Sequence, residues 1–147
     1  MNDESFEEWF EKGQLHFAAQ DGNLERVKKL IADKYPLNVF DDIDKTPLHY
    51  AAEKEHFDVA EYLIKSGADV NAHNRDRAGD TPLGAIAGNC SYNMAKLLVD
   101  AGADPSIPGW MHLTALNKAQ ERKKEEGKRV FSLLVKVSKQ KYSCKEA

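Results

Sequence analysis

Apolar residues in this chain fall into short stripes at helical spacing, each closed by a turn residue. The clearest case is 44–72, DKTPLHYAAEKEHFDVAEYLIKSGADVNA. Leu48, Ala51 and Ala52 make one stripe with helical period, and Val59, Ala60, Leu63 and Ile64 make a second. Thr46 is placed to cap the first helix, its hydroxyl accepting from an orphan amide. Pro47 suits the first helical position, where no N–H is needed. EKEHF turns the chain between the stripes. Gly67 ends the second helix in the left-handed conformation that glycine adopts cheaply, and ADVN leads out into an extended finger. The pattern predicts a helix–turn–helix unit too small to bury its own stripes.

The unit repeats. LHFAA at 15–19 returns as LHYAA at 48–52, a shift of 33. TPLHYAA at 46–52 returns as TPLGAIA at 81–87, and GADVN at 67–71 as GADPS at 102–106, both shifted by 35. The extra two residues lie in the connection AHNRDRAGD. A weaker fourth copy begins at LTALNKAQ, 113–120, with Leu116 in the place of Leu83, and continues into GKRVFSLLVKV after about three extra residues. Stacked units of this kind bury each other's stripes, and stability becomes a sum of nearest-neighbour interfaces.

TPLHYAA, the 33-residue period and GADVNA resemble the ankyrin repeat. The resemblance covers about residues 5–137. It implies an all-α solenoid of L-shaped helix pairs with short β-hairpin fingers, and a rigid concave surface that binds another protein. The expected organisation is one domain, 1–137, with repeats near 6–38, 39–71, 74–106 and 107–137, followed by a flexible basic tail, 138–147. The first copy has Gly13-Gln14 in place of Thr-Pro and DKYPLN in place of SGADVN. The fourth lacks the proline. Both read as terminal caps with polar outer faces. His16 and His49 hold equivalent positions, where the family uses histidine as a structural hydrogen-bonder. The third copy has Gly84 there, so the bonds that histidine makes to neighbouring fingers are expected to be lost. Cys90 replaces the glycine of the helix turn, which predicts an irregular turn.

Charge narrows the partners. Residues 118–147 hold ten Lys/Arg against four Asp/Glu, a balance of +6, which leaves −9 on residues 1–117 within the net −3. An acidic body argues against nucleic acid as the main partner, because phosphate binding needs a basic face, and favours a basic protein. RKKEEGKR is interleaved with glutamate and reads as a solvated helix face. No run approaches the roughly 18 apolar residues of a membrane span. The acidic start MNDESFEEWFEKG lacks the basic and apolar regions of a signal peptide, so a cytoplasmic location is expected. Cys90 and Cys144 read as free thiols. His56, His73 and His112 are scattered without metal-ligand spacing. There is no phosphate loop, nucleophile elbow or dinucleotide fingerprint. Asp41 and Asp42 read as a solvated pair. No enzyme activity, cofactor or metal is expected, and the free chain is expected to be monomeric.

In the resemblance's register, finger tips and the exposed side of each first helix face a partner. Trp9, Phe10, Lys12, Gln20 and Asp21 take these positions in the first copy. Phe40, Asp42, Ile43, Lys45, Glu53 and Lys54 take them in the second. His73, Arg75, Arg77, Asp80, Gly88 and Asn89 do so in the third, and Trp110, Met111 and Leu113 in the fourth. Trp9, Phe10 and Leu113 are expected to fold back over the ends of the core. Phe40, Trp110 and Met111 are the candidate anchors, since aromatic and Met side chains are typical of interface cores. The acidic Asp41-Asp42-Asp44 and the mixed Arg75-Asp76-Arg77 would set register and partner choice. A chain of this length leaves no room for a separate effector domain, so it is expected to act by occupying its partner. An immunity protein that neutralises a basic bacterial nuclease toxin is one such role, and a regulatory scaffold in a signalling or transcription complex is another.

Overall fold

Thr46-Pro47, Thr81-Pro82 and Ser91 start three of the helices, and left-handed residues at 22, 34, 55, 67 and 102 follow the ends of five. The structure is a computed structural model that describes Phe10 and residues 13–145. Among these are eight α-helices: α1 (Gln14–Asp21), α2 (Leu24–Ala32), α3 (Pro47–Glu53), α4 (Phe57–Lys65), α5 (Pro82–Ile86), α6 (Tyr92–Asp100), α7 (Ala115–Gln120) and α8 (Glu125–Lys145). The chain divides into two compact units, Met1–Asp69 and Val70–Ala147, where the sequence suggested one domain.

In the first unit α1 packs on α2 and α3, α3 on α4, and α2 on α4. Leu15, Ala18 and Ala19 on α1, Leu48, Ala51 and Ala52 on α3, and Val27, Val59, Ala60 and Leu63 on α2 and α4 are all buried. The alanines let helices approach closely, and each fully buried Leu or Val contributes about 1.5–3 kcal/mol. In the second unit α5 packs on α7, α6 on α8 and α7 on α8, around Leu83, Ile86, Met94, Leu98, Val130 and Leu134.

The second helix of each of the first three pairs ends in the same way. Gly67 N–H bonds the Ile64 carbonyl at 3.1 Å and Ala68 N–H the Leu63 carbonyl at 3.0 Å, with Gly67 at φ +107°. Gly102 and Ala103 repeat the pair of bonds on Val99 and Leu98. This is the Schellman closure. The first copy keeps it with Lys34, at φ +68°, in the glycine position. A lysine there costs about 1–2 kcal/mol. The irregular turn expected at Cys90 is present. Glu55, the equivalent residue one copy earlier, is left-handed at φ +58°. Cys90 is instead a buried thiol outside any disulfide, its carbonyl accepting from the Arg122 guanidinium at 2.8 Å, and α5 stops at Ile86 after five residues against seven in α3.

Two sequence expectations are corrected. The described fingers contain no strand. They are hydrogen-bonded turns, because side-chain acceptors and left-handed residues satisfy the backbone before a ladder can form. The tail expected to begin at residue 138 continues α8 to Lys145. SKQKYSCK has neither Gly nor Pro to stop the helix.

Candidate protein-binding site

Each first helix carries a residue at its third position that ties it to something else. Thr46 N–H donates to His49 Nδ1 at 3.0 Å, with the Thr46 hydroxyl 2.8 Å from the same nitrogen. The buried His49 thus closes a reciprocal cap. Thr114 and Asn117 form the same box on α7. In the first copy Gly13 offers no hydroxyl. His16 Nε2 reaches the Val39 and Lys45 carbonyls at 2.8 and 3.1 Å, binding α1 to the next finger, while its buried Nδ1 has no partner. Both histidines are structural, as the resemblance implied.

In the third copy Gly84 was expected to lose this tie, but Lys118 supplies another. Its ammonium donates to the Gly84 carbonyl at 2.7 Å and pairs with Asp80 at 3.2 Å. Asp80 also accepts from the Trp110 amide at 3.2 Å. A Cβ at Gly109 would overlap the Asp80 carboxylate, so only glycine lets the two fingers approach this closely. Asp80 therefore positions the finger that carries Trp110. Its exposure is limited, and it is not free to meet a partner.

That finger is the most unusual surface of the second unit. Met111 and His112 are left-handed at φ +56° and +60°, as the two central residues of a type I′ turn must be. Leu113 N–H bonds the Trp110 carbonyl at 3.1 Å and Gly109 N–H the Leu113 carbonyl at 2.9 Å. Two non-glycine residues in this conformation store about 1–2 kcal/mol each. The turn leaves Trp110 64% and Met111 70% exposed. Leu113, expected to cover the core, is 40% exposed beside them. In the same unit Arg75 and Arg77 project from a short turn, Arg75–Arg77, which is held by Asn74 Oδ1 on the Asp76 amide. Asn89 is exposed, and His73 Nδ1 lies 2.8 Å from the Asn71 carbonyl.

In the first unit the finger 40–45 is organised by Asp41. Its carboxylate accepts from the Ile43 and Lys45 amides at 3.1 and 3.0 Å and from the Tyr50 hydroxyl. The expectation of a solvated Asp41-Asp42 pair holds for Asp42 alone. Ile43 stands 63% exposed at the tip, and Phe40 is half-buried at the base. Lys45 and Glu53 pair with each other at 2.8 Å, and Lys54 is exposed just past the end of α3. Phe10, expected to fold inward, is 45% exposed and tilts against Phe17 with ring centroids 6.5 Å apart. Trp9 and Lys12 lie outside the described residues.

Sequence reasoning missed a second recurrent tie. Asn38 Oδ1 accepts from Asp69 N–H at 2.8 Å, and Asn71 Oδ1 from Asp104 N–H at 2.8 Å. Both asparagines lie at the base of a finger, 33 residues apart. That recurrence was the available signal.

Burial, then the bond to Asp41 and the charges of Asp41 and Glu53, push the Tyr50 pKa well above the usual phenol value. The folded state holds this proton more tightly than the unfolded chain. The stability it contributes is complete below about pH 10 and is lost as pH rises through the higher, folded pKa. The urea midpoint of the wild type should therefore fall more steeply above pH 10 than that of Tyr50→Phe. Parallel curves would show that Tyr50 titrates as an exposed phenol.

Paired helices joined by hydrogen-bonded fingers, recurring every 33 to 35 residues, define a helix-pair repeat protein. A family model described as ankyrin repeats, in three copies, matches residues 15–109. The chain belongs to the ankyrin repeat family. An ankyrin repeat protein of Rickettsia bellii is 43% identical over 76 residues, which are 48% of this chain and 44% of that protein. Human protein phosphatase 1 regulatory subunit 27 is 44% identical over 68 residues, 46% of this chain and 43% of its own length. Chicken inversin is 39% identical over 87 residues, 58% of this chain and 8% of its own. The chain thus spans less than half of each of these relatives. Ankyrin repeats in general mediate protein–protein interaction and are not catalytic. No described helix is long and apolar enough to cross a membrane.

Proposed function

We propose that this chain is a non-enzymatic module that acts by occupying a partner protein, with its finger tips as anchors. The observation that carries the reading is the 110–113 finger. A Trp and a Met stand mostly exposed on a backbone held in a strained, left-handed turn by Asp80. Strain of this kind persists where the surroundings over-determine it, and it clusters at binding sites. Ile43 and Phe40 in the first unit, with the charged Asp42, Lys54, Arg75 and Arg77, extend the surface offered by each unit. Lys45, Glu53 and Asp80 shape it through their internal pairs.

Charge favours a basic partner, given the −9 on residues 1–117. Neutralisation of a basic toxin, as by an immunity protein in the cytoplasm, is one role that would use this. Regulation within a larger complex is the alternative, and it is supported by the likeness to a phosphatase regulatory subunit. Affinity capture from the native host, comparing wild type with Phe40→Ala/Trp110→Ala, tests the reading. One stoichiometric protein partner, lost in the double variant while helicity is unchanged, is expected. A basic partner bound one-to-one and released by salt points to neutralisation, and several unrelated partners point to a scaffold. Retention by the variant would move the interface off the fingers.

A further inference from the structure

In the second unit α6 and α8 pack together and leave an open groove of about 590 Å³ between them. Lys128, Arg129 and Lys136 line it from α8 and Lys96 from α6, against one lining carboxylate, Glu125. The lining residues of α8 recur at spacings of three and four, so they share one side of the helix. Tyr92 and Leu133, both half-buried, add apolar surface, and Ser132 adds an exposed hydroxyl.

The chain's own anions hold these cations weakly. Arg129 lies over the Tyr92 ring, its guanidinium carbon 4.3 Å from the centroid. Stacking engages the face of the guanidinium and leaves its edge N–H donors for a carboxylate. Among the described residues, neither Arg129 nor Lys136 has a carboxylate partner. Lys96 meets Asp100 at 3.0 Å and Lys128 meets Glu125 at 3.4 Å, but the four side chains are 48% to 87% exposed. Such pairs are worth at most about 1 kcal/mol and exchange for a better-placed anion.

We propose that this groove is a second protein-binding surface, separate from the finger tips, and that it takes an acidic helical segment of another protein. Lys128 and Lys136 stand eight residues apart on one side of α8, about 12 Å along its axis. Glutamates every fourth residue on a partner helix match that interval and share one face, with apolar residues between them meeting Tyr92 and Leu133. A nucleic acid fits less well. Asp100, Glu125 and Glu126 all bond groove residues, and a backbone charged at every nucleotide cannot skip them, whereas a peptide places its carboxylates only where the cations stand. A membrane fits less well too, because Val130 and Leu134 of α8 are buried in the core and leave no apolar face to insert.

The test titrates a blocked peptide, glutamate at every fourth position with leucine and alanine between, into the 15N-labelled full chain. Saturable shifts confined to amides of 92–100 and 125–136 are expected, and binding should weaken as salt screens the charges. Arg129→Gln/Lys136→Gln, two exposed changes, should weaken it roughly tenfold, the worth of two exposed ion pairs. Lys123→Gln/Lys124→Gln removes the same charge from exposed positions outside the groove and should change it less than about twofold. Equal losses in the two double variants would show attraction to net charge alone and overturn the site. No saturable shift, or equal binding of the peptide with glutamine for glutamate, would do the same. Tighter binding of a deoxythymidine oligonucleotide or of phosphatidylserine vesicles through the same cations would overturn the choice of a protein segment. Shifts of these amides with chain concentration alone would seat a second copy in the groove and overturn it as well. The peptide needs no captured partner, so the outcome here and the outcome at the Trp110 finger are read independently.

Discussion

Leu63→Ala should cost the first unit about 2–5 kcal/mol, the range for truncating a fully buried leucine. Leu63 is inaccessible to solvent in α4, where the alanine-rich faces leave neighbours little room to collapse into the cavity. The effect should be local. The first unit has its own buried layers from α1 to α4, and the second has its own from α5 to α8. In repeat proteins, stability is carried by such nearest-neighbour layers. Hydrogen exchange read by peptide should show protection lost across 14–65 and largely kept across 82–134. The half-buried Ile64, one residue on, should lose much less when cut to Ala. Equal loss of protection in both units would mean that they unfold as one.

Most of the architecture was legible because its physics is local and periodic. Thr46, Thr81 and Thr114 announce helix starts, and Gly67 and Gly102 announce stops. The apolar stripes at Leu48 and Leu63 are buried as the period demands. What escaped depends on residues distant in the chain. Nothing local to Gly84 shows that Lys118, 34 residues later, restores the tie that the missing histidine leaves open. Asp41 looks like one of several finger carboxylates until its amide and phenol partners are seen. The same limit affects the candidate site. The exposure of Trp110, Met111 and Ile43 was readable from their finger-tip register in the repeat. The diversion of Lys45, Glu53 and Asp80 into internal pairs was not, since a charged side chain at a surface position can face outward or across. The fingers were expected as hairpins, but they are too short for a strand ladder and close through backbone turn bonds and side-chain acceptors.

That difference between anchoring and positioning residues leads to the largest expected effect on binding. Trp110→Ala should reduce partner affinity by about 2–4 kcal/mol, a loss of roughly 30- to 1000-fold, as for a buried aromatic anchor. Because the side chain is exposed in the free protein, stability should change by less than about 0.5 kcal/mol. Asp80→Ala should behave differently. It strips the Trp110 amide and the Lys118 ammonium of a partner, at a cost of about 1–3 kcal/mol in stability. Its effect on binding should pass through the released finger. If so, the two substitutions are not additive. Once Trp110 is gone, loosening the turn that presents it has little left to remove, and a double-mutant cycle should return a coupling of about 0.5–3 kcal/mol. The cycle requires only the captured partner, a calorimeter and three variants. Additive losses would show that Asp80 contacts the partner directly or that Trp110 does not, and either result would detach the strained turn from recognition. Coupled losses would tie the backbone strain at Met111 and His112 to the presentation of a single side chain. The Lys118–Asp80 pair, built where the repeat pattern has lost its histidine, would then be part of the binding apparatus as well as of the fold.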